Sequence, residues 1–286
     1  MYDEIENFTN WLRRRNPTAH TWQDYLCDLH QFVAVVGDHP PDAITFEDVD
    51  RFVAAQMARE LKATTINRRL AAVMSLYAFL ADEDPDLPCP VYPHRHTLRA
   101  YRRLPRPAPQ ADVERFFAAI EDARDRAIFL LMLRCGLRIS EVARLELRDL
   151  YLAEQPPRLL VHGKNSKERT AYLSGQAALA LRRYLRERPA VESEAVFVNY
   201  RGEGLATIGI QKRLEGYRRK AGVHLTAHQL RHNFAGDLVA ADVPVTTIQK
   251  LLGHAWVSTT QGYVSANDPK VQHDFYEAAR QLEGWQ

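Results

Sequence analysis

The sequence predicts a mainly α-helical protein of the α+β class, with one small antiparallel β-sheet, in two domains. Apolar residues recur at helical spacing along most of the chain. Two short apolar segments, 159–162 and 170–173, flank a basic polar tip, which is typical of a β-hairpin. A length of 286 residues is enough for two domains with separate cores.

Residues 1–86 form the first predicted domain, a bundle of four helices. Its apolar residues at helical spacing include Ile5, Phe8, Leu12, Leu70, Val73, Leu76, Tyr77 and Leu80. Thr45 with Asp48 is expected to cap the third helix, and Thr64 or Thr65 the fourth, because threonine and aspartate accept hydrogen bonds from free N–H groups at helix starts.

A proline-rich segment from 87 to 110 follows, with several arginines and no acidic residue. We interpret it as a basic linker between the domains, placed to follow a nucleic-acid backbone. Its arginines are Arg95, Arg99, Arg102, Arg103 and Arg106.

The second predicted domain, 111–286, is mostly helical. Helical periodicity continues from Ala111 to Glu121, and the hairpin is expected to gain a short strand, Val196 to Asn199. The other predicted helices cover residues 124–135, 139–147, 175–187, 207–221, 227–241, 245–252 and 268–282.

Composition excludes several classes of protein. With 46% hydrophobic and 26% charged residues, the chain has the balance of a globular protein rather than a disordered one. No apolar run approaches the roughly 20 residues of a membrane span, and the acidic N-terminus does not resemble a signal peptide, so we expect a cytoplasmic protein without a membrane partner. The 3 cysteines contain no C-x-x-C pair, which favours reduced thiols over a disulfide framework or zinc site.

One helix carries three polar side chains that could carry chemistry: His228, Arg231 and His232. Their i,i+3 and i,i+4 spacing places them on adjacent faces. The His-x-x-x-His pattern occurs in zinc proteases, but that chemistry needs a glutamate where this chain has Gln229. Zinc hydrolysis is therefore disfavoured.

Further motifs stand in a definite order along the chain. They are Cys135-Gly-Leu-Arg-Ile-Ser-Glu141, the lysine hairpin Gly163-Lys-Asn-Ser-Lys167, His228-x-x-Arg231, Leu251-Leu-Gly-His254 and Tyr263. Together they resemble the tyrosine recombinase (phage integrase) family, in particular its compact Xer-like members, over most of the chain. By this resemblance the first domain is a core-binding, DNA-binding domain and the second is catalytic.

The resemblance implies six catalytic residues, namely Arg138, Lys164, His228, Arg231, His254 and Tyr263. Tyr263 would attack a scissile phosphate, leaving a 3′-phosphotyrosyl link and a free 5′-hydroxyl without ATP, metal or other cofactor. Arg138 and Arg231 would clamp the nonbridging oxygens, where negative charge accumulates in the transition state.

The resemblance gives the remaining side chains acid–base and orienting roles. Lys164 would protonate the departing 5′-oxygen, His228 would help to accept the tyrosine proton, and His254 would hydrogen-bond a phosphate oxygen. Lys167 is an alternative general acid, although Lys164 directly follows Gly163 as in the family. Glu141 matches the family's acidic position and would orient Arg138.

Double-stranded DNA is the expected partner. Basic residues lie on a helix in each domain and on the linker between them, so the two domains are expected to clamp a duplex, as in the family. The expected DNA contacts are Arg68, Arg69, Arg95, Arg99, Arg102, Arg103, Lys167, Arg169, Lys212 and Arg213.

An apolar stripe on the last helix, with Val271, Phe275, Ala278 and Leu282, must be buried somewhere. In the family the corresponding helix docks on a neighbouring protomer. The resemblance thus implies a homo-oligomer on nucleoid DNA, a dimer on one site and a tetramer in synapsis. It leaves open whether a second recombinase or an accessory protein takes part.

Two other functions remain as alternatives. An enzyme like the type IB topoisomerases would use the same chemistry to relax DNA without a specific site. A catalytically idle, sequence-specific DNA-binding protein would keep the fold alone. The sequence names neither the target site nor the biological task, which could be dimer resolution, integration or transposon movement.

Overall fold

The computed structural model describes residues 1–17, 21–100, 107–163 and 168–253. The chain divides into two compact units, Met1–Arg102 and Arg103–Gln286. Each unit has its own hydrophobic core. The predicted fold class, mainly helical with a small antiparallel sheet, is confirmed.

The first unit is a helical bundle, and its four long predicted helices are confirmed. They are α1 (Tyr2–Arg15), α2 (Thr21–Val36), α3 (Phe46–Ala58) and α4 (Ala63–Leu80), followed by the single-turn helix α5 (Pro93–His96). Aromatic residues fill the core, where the rings of Phe32 and Phe52 meet edge to face at 5.1 Å. The buried Tyr77 hydroxyl donates a hydrogen bond to the Pro41 carbonyl at 2.8 Å, so the ring is buried without an unsatisfied polar group.

Of the two predicted helix caps, one is confirmed and one is wrong. The Thr45 hydroxyl accepts from the Asp48 N–H, and the Asp48 carboxylate accepts from the Thr45 N–H at 2.9 Å, which completes a capping box. Helix α4 instead starts after Lys62 without a side-chain cap. Thr64 and Thr65 lie within its first turn, where the Thr65 N–H already donates to the Lys62 carbonyl.

The segment that we interpreted as a linker packs largely on the two units. Val91 is buried in the core of the first unit, and Ala108 in the core of the second. The Asn67 amide donates to the Leu98 carbonyl at 2.8 Å and accepts from the Leu98 N–H at 2.9 Å. Apolar residues between the prolines therefore fix residues 87–98 on the helical bundle.

A helix that is buried on nearly every side, α7 (Ala123–Cys135), lies inside the second unit. Residues from most of the other elements of this unit contribute to the hydrophobic core around it. The helices are α6 (Gln110–Ala118), α7 (Ala123–Cys135), α8 (Ile139–Ala143), α9 (Gly175–Glu187), α10 (Thr207–Ala221), α11 (Ala227–Ala240) and α12 (Val245–Leu252). The predicted helices at 175–187, 207–221, 227–241 and 245–252 are confirmed, with α11 one residue shorter.

The sheet has the antiparallel order β1 (Leu150–Tyr151), β2 (Arg158–His162), β3 (Glu168–Tyr172). Register places Val161 opposite Arg169. The predicted strand at 196–199 does not join this sheet. Its apolar residues are buried, but they form only an isolated bridge from Val198 to Gly204.

Among the described helices, none combines the length and apolar character that a membrane crossing requires. Cys27, Cys89 and Cys135 are all free thiols.

Candidate active site

A buried carboxylate, Glu141, organises the site in the second unit. It lies in the first turn of α8 and its side chain is 3% exposed. The Arg138 N–H donates to Oε2 at 2.7 Å, and its Nη1 donates to Oε1 at 2.8 Å. Nη2 of Arg169 donates to Oε2 at 2.9 Å, and Nη1 of Arg231 lies 3.8 Å from the same oxygen. One carboxylate thus holds guanidiniums from three separate elements.

The turn before Arg138 explains how α7 and α11 approach closely. Helix α7 ends at Gly136 in the left-handed conformation, with φ +65°. A Cβ there would lie 2.4 Å from Cδ1 of Phe234 on α11, so only glycine fits. The Gly136 carbonyl accepts a hydrogen bond from Nη1 of Arg231, and Nη2 donates to the Leu252 carbonyl. The C-terminal ends of α7 and α12 therefore fix the buried guanidinium.

The three guanidiniums differ in exposure. The side chain of Arg138 is 37% exposed, whereas those of Arg169 and Arg231 are 11% and 4% exposed. Three positive charges around one carboxylate leave an excess of two. The cluster can therefore receive an anion without reorganisation, which is the arrangement that stabilises a developing oxyanion.

Helix α11 places two imidazoles beside this cluster. The rings of His228 and His232 stack edge to face with centroids 5.2 Å apart. Desolvation, with the nearby charges of Arg231 and Arg138, lowers the pKa of His228. Desolvation, with His228 and Arg231, lowers the pKa of His232 to about 4. Both rings are consequently neutral at neutral pH. Sequence reasoning gave no role to His232.

Asn233 also received no role from sequence reasoning. Its buried amide accepts from the Ala108 N–H at 2.9 Å and donates to the Ala108 carbonyl at 2.8 Å. A side-chain amide carries both an acceptor and a donor, so Asn233 satisfies both backbone groups of one residue. The pair fixes the start of the second unit to the helix that carries His228 and Arg231.

Arg169 was predicted to contact the DNA backbone, but the structure places it inward. It shares the core face of the sheet with Val161 and Ala171 and pairs with Glu141. Period-two alternation along β3 could have revealed this, because Arg169 falls on the same side as the apolar Ala171.

The other predicted residues of the site cannot be placed in this geometry. Lys164, Lys167, His254 and Tyr263 lie outside the described residues, as do Arg102, Arg103 and the predicted helix at 268–282. Gly163 and Gly253 are described, so the structure shows the ends from which the segments with Lys164 and His254 depart.

Three predicted DNA contacts in the first unit form ion pairs. Arg68 and Arg69 lie 2.6 and 3.5 Å from Asp28, and Arg69 also bonds to the Gln56 side chain. Arg69 is only 12% exposed, so its guanidinium faces inward. Arg95 pairs with Asp50, while Arg99 is exposed.

The two predicted contacts on α10 differ in the same way. Both are exposed, but the Arg213 guanidinium also lies 3.1 Å from the carboxylate of buried Asp125. Among the residues that the structure describes, no group of three or more His, Cys, Asp or Glu side chains could hold a metal ion.

Relatives with assigned functions match nearly the full chain. The tyrosine recombinase XerD of Listeria innocua is 30% identical, covering 97% of this chain and 98% of that protein. The XerD of Lacticaseibacillus casei is 34% identical over 92% and 94%. The XerC of Alcanivorax borkumensis is 32% identical over 89% and 86%.

Solved structures share the fold. XerH recombinase bound to a palindromic difH substrate, after cleavage, superposes with a TM-score of 0.78 at 21% identity, over 99% of this chain and 85% of that one. A lambda integrase dimer on a core site gives 0.73 at 17% identity, over 94% and 95%. Residues 5–84 match the phage integrase N-terminal SAM-like domain, and residues 108–270 match the phage integrase family. With its clustered arginines and histidines, the chain thus belongs to the phage integrase family of tyrosine recombinases.

Proposed function

We propose that the protein is a site-specific DNA recombinase that cuts and rejoins DNA through a 3′-phosphotyrosyl intermediate, without ATP or metal. The observation that carries this proposal is the pair of guanidiniums, Arg138 and Arg231, on one buried carboxylate. A phosphoryl-transfer transition state spreads negative charge over nonbridging oxygens, and two prearranged forks match that charge.

The proposed step exchanges one phosphodiester for another. The Tyr263 oxygen forms a bond to phosphorus while the bond from phosphorus to the 5′-oxygen breaks. The phenol proton passes to an acceptor, and Lys164 gives a proton to the leaving 5′-oxygen. Because the phosphate is never hydrolysed, the released 5′-hydroxyl of another strand can reverse the step and rejoin the DNA.

His228 is the proposed acceptor of the tyrosine proton. Desolvation and the adjacent arginines lower its pKa, so the ring is neutral at neutral pH and can accept a proton. The position of Glu141 beneath Arg138 supports its proposed role in orienting that guanidinium.

Both units are proposed to contact double-stranded DNA. The XerH structure is bound to a difH substrate and the lambda integrase structure to a core site, which supports DNA as the partner. Exposed Lys212 is a candidate phosphate contact. Lys212→Ala is expected to reduce the dependence of log K on log salt by about 1. Lys220, on the same helix but 2.5 Å from Glu121, gives the control Lys220→Ala, which is expected to leave the salt slope unchanged.

The proposed assembly is a dimer on one site and a tetramer in synapsis, linked by the helix at 268–282. A chain ending at Ala266 is expected to lose recombination in trans and to sediment as a monomer on DNA. Full recombination by that chain would refute the proposed role of the helix.

The direct test is covalent capture. Nicked suicide duplexes, drawn as fragments from the source genome and its mobile elements, are incubated with the full chain and with Tyr263→Phe. We expect adducts at one junction sequence that vanish in the Tyr263→Phe control. Scattered adducts with supercoil relaxation would favour a topoisomerase, and specific binding without adducts would favour an idle DNA-binding protein.

A further inference from the structure

Arg169 occupies a position that its predicted role as a DNA contact does not explain. It is the second residue of β3, and its side chain is only 11% exposed. Its Nη2 donates to Oε2 of Glu141 on α8 at 2.9 Å. Among the described residues, its Nε and Nη1 are buried without a hydrogen-bond partner. The described hydrogen bonding of this guanidinium is therefore directed at one carboxylate.

The buried guanidinium of Arg169 is a poor stabiliser of the fold. Desolvation lowers its pKa; Glu141 opposes this shift and Arg138 adds to it. Buried N–H groups without acceptors add a further cost, because each has lost its hydrogen bond to water. Glu141 does not need Arg169 as a counter-charge, since Arg138 and Arg231 also lie within 4 Å of it. An apolar side chain of similar length should therefore be tolerated at position 169.

The two oxygens of the Glu141 carboxylate have different donors. Oε2 accepts from the Arg138 N–H at 2.7 Å and from Nη2 of Arg169 at 2.9 Å. Oε1 accepts from Nη1 of Arg138 at 2.8 Å. The last torsion of a glutamate side chain is broad when nothing restrains it. The bond from Arg169 to Oε2 therefore helps to fix the plane in which Oε1 meets the Arg138 guanidinium.

Arg169 is itself held from two sides. Helix α12 packs on β3, and a Cβ at Gly253, where α12 ends, would lie 2.7 Å from Cδ of Arg169 and 2.9 Å from its Nε. In the sheet, Arg169 lies opposite the buried Val161. The planar guanidinium thus reaches Glu141 from a restrained stem, which gives its fork a defined direction.

We propose that Arg169 is a positioning residue that fixes the Glu141 carboxylate and, through it, holds the Arg138 guanidinium in the direction that the transferred phosphate requires. The proposal rests on the function proposed above. The side chain of Arg138 is 37% exposed, which makes it the most exposed of the three arginines on this carboxylate. Its direction therefore depends most on the hydrogen bond to Glu141. A displacement of about 1 Å can lower a rate about 10²-fold.

Double-mutant cycles separate positioning from stability, affinity and direct contact with the phosphate. The substrate is a nicked suicide duplex that carries the junction captured by the parent chain. Single-turnover cleavage at saturating protein and thermal unfolding are measured for Arg169→Met, alone and combined with Glu141→Gln or with Arg138→Ala. The control is Arg158→Met, because Arg158 lies on β2 of the same sheet and pairs with Glu154 at 2.6 Å.

We expect Arg169→Met to cleave about 10²-fold more slowly than the parent chain, with a melting temperature equal to or above the parental one. In the Glu141→Gln and Arg138→Ala backgrounds the same substitution should cause little further loss, because the group through which Arg169 acts is already removed. Arg169→Lys keeps the buried charge but lacks the planar fork, so its rate should lie between those of Arg169→Met and the parent chain. Arg158→Met should match the parent chain in both measurements.

Several results would overturn the proposal. Failure of Arg169→Met to fold, or a loss of cleavage that disappears below a lowered melting temperature, would assign Arg169 to the fold. An undiminished loss in the Glu141→Gln background would mean that Arg169 contacts the phosphate directly. If Glu141→Gln does not fold, an undiminished loss in the Arg138→Ala background would refute the proposal equally. Absence of any adduct from the parent chain would refute the proposed function itself, whereas parental cleavage by Arg169→Met would refute only the role of Arg169.

Discussion

The two units contain similar clusters that differ in charge and exposure. In the first unit, buried Asp28 pairs with Arg68 and Arg69. In the second, buried Glu141 holds three guanidiniums. The Asp28 cluster has an excess of one positive charge, and the Glu141 cluster has an excess of two. Desolvation raises the pKa of Asp28 even beside its arginines.

This difference separates a cluster that solvent screens from the cluster that we propose to be catalytic. In the Asp28 cluster the side chain of Arg68 is 48% exposed, so solvent screens its charge. In the Glu141 cluster, the backbone carbonyls of Gly136 and Leu252 accept hydrogen bonds from Arg231 and fix its guanidinium. A guanidinium that cannot turn toward water stabilises a phosphate at little reorganisation cost.

The largest expected effect comes from truncating one arginine in each cluster. Arg231→Ala should lower single-turnover cleavage by about 10²–10³-fold, because a prearranged donor to the transition state is lost. Arg68→Ala should weaken DNA binding and reduce the salt slope by about 1. Cleavage rates measured at increasing protein concentrations check this. A higher concentration should restore cleavage by Arg68→Ala but not by Arg231→Ala. Rescue of Arg231→Ala by added protein would contradict the comparison.

Neutralising each carboxylate should destabilise the units unequally. Glu141→Gln leaves buried arginines without a counter-charge and should cost about 3–5 kcal/mol of unfolding free energy. Asp28→Asn should cost about 1 kcal/mol or less, since part of its cluster is exposed. Scanning calorimetry of the full chain measures both. Equal losses of unfolding free energy would contradict this prediction, because the two clusters would then contribute equally to stability.

A comparison of two glycines with the same backbone conformation tests how much the close approach of α7 and α11 matters for stability and cleavage. Gly136 and Gly222 have φ of +65° and +64°, but only at Gly136 would a Cβ meet atoms within 4 Å. Gly136→Ala should therefore add overpacking of about 1–3 kcal/mol to the backbone strain that Gly222→Ala also carries, and it should slow cleavage. Denaturant unfolding and cleavage rates test this, and similar behaviour of both variants would count against it.

The smallest expected effect is on stability as a function of pH, where one histidine in each unit contributes with opposite sign. A hydrogen bond to Asp149 raises the pKa of His162. The stabilisation that His162 contributes is therefore complete below the unfolded pKa of about 6.5. It is lost as the pH rises through the higher pKa that His162 has in the folded protein. Burial lowers the pKa of His96, so its contribution is complete above about 6.5 and is lost as pH falls.

Melting temperatures of single variants between about pH 5 and 8 check these signs. His162→Gln should flatten the loss of stability on the alkaline side, and His96→Gln the loss on the acid side. The reverse assignment would contradict the hydrogen bond to Asp149 and the burial of His96.

Much of the fold was predictable because local patterns and packing agree. Periodicity located α9, α10 and α12 to the residue, and Thr45 marked the start of α3. The apolar run at 196–199 was misread as a strand of the sheet, since burial alone does not distinguish a paired strand from a buried loop. The packing of residues 87–98 on the bundle was hidden by their prolines and positive charge.

Motif order identified Arg138, His228 and Arg231. The geometry brings the two arginines together around Glu141, and their charges lower the pKa of His228. Sequence reasoning treated Arg69 and Arg169 as surface cations because it weighed charge without partners. Their carboxylates, Asp28 and Glu141, lie far away in sequence. Only the fold brings such pairs together.

The central claim is that Arg231 stabilises the charge which develops on the transferred phosphate. The most direct measurement compares single-turnover cleavage of a phosphate with that of a neutral methylphosphonate, by the parent chain and by Arg231→Ala. We expect Arg231→Ala to be slower by about 10²–10³-fold on the phosphate and close to the parent chain on the methylphosphonate, where a methyl group replaces one nonbridging oxygen and removes one negative charge from the transition state. An equal loss on both substrates would contradict the account, because Arg231 would then support the fold rather than the charge.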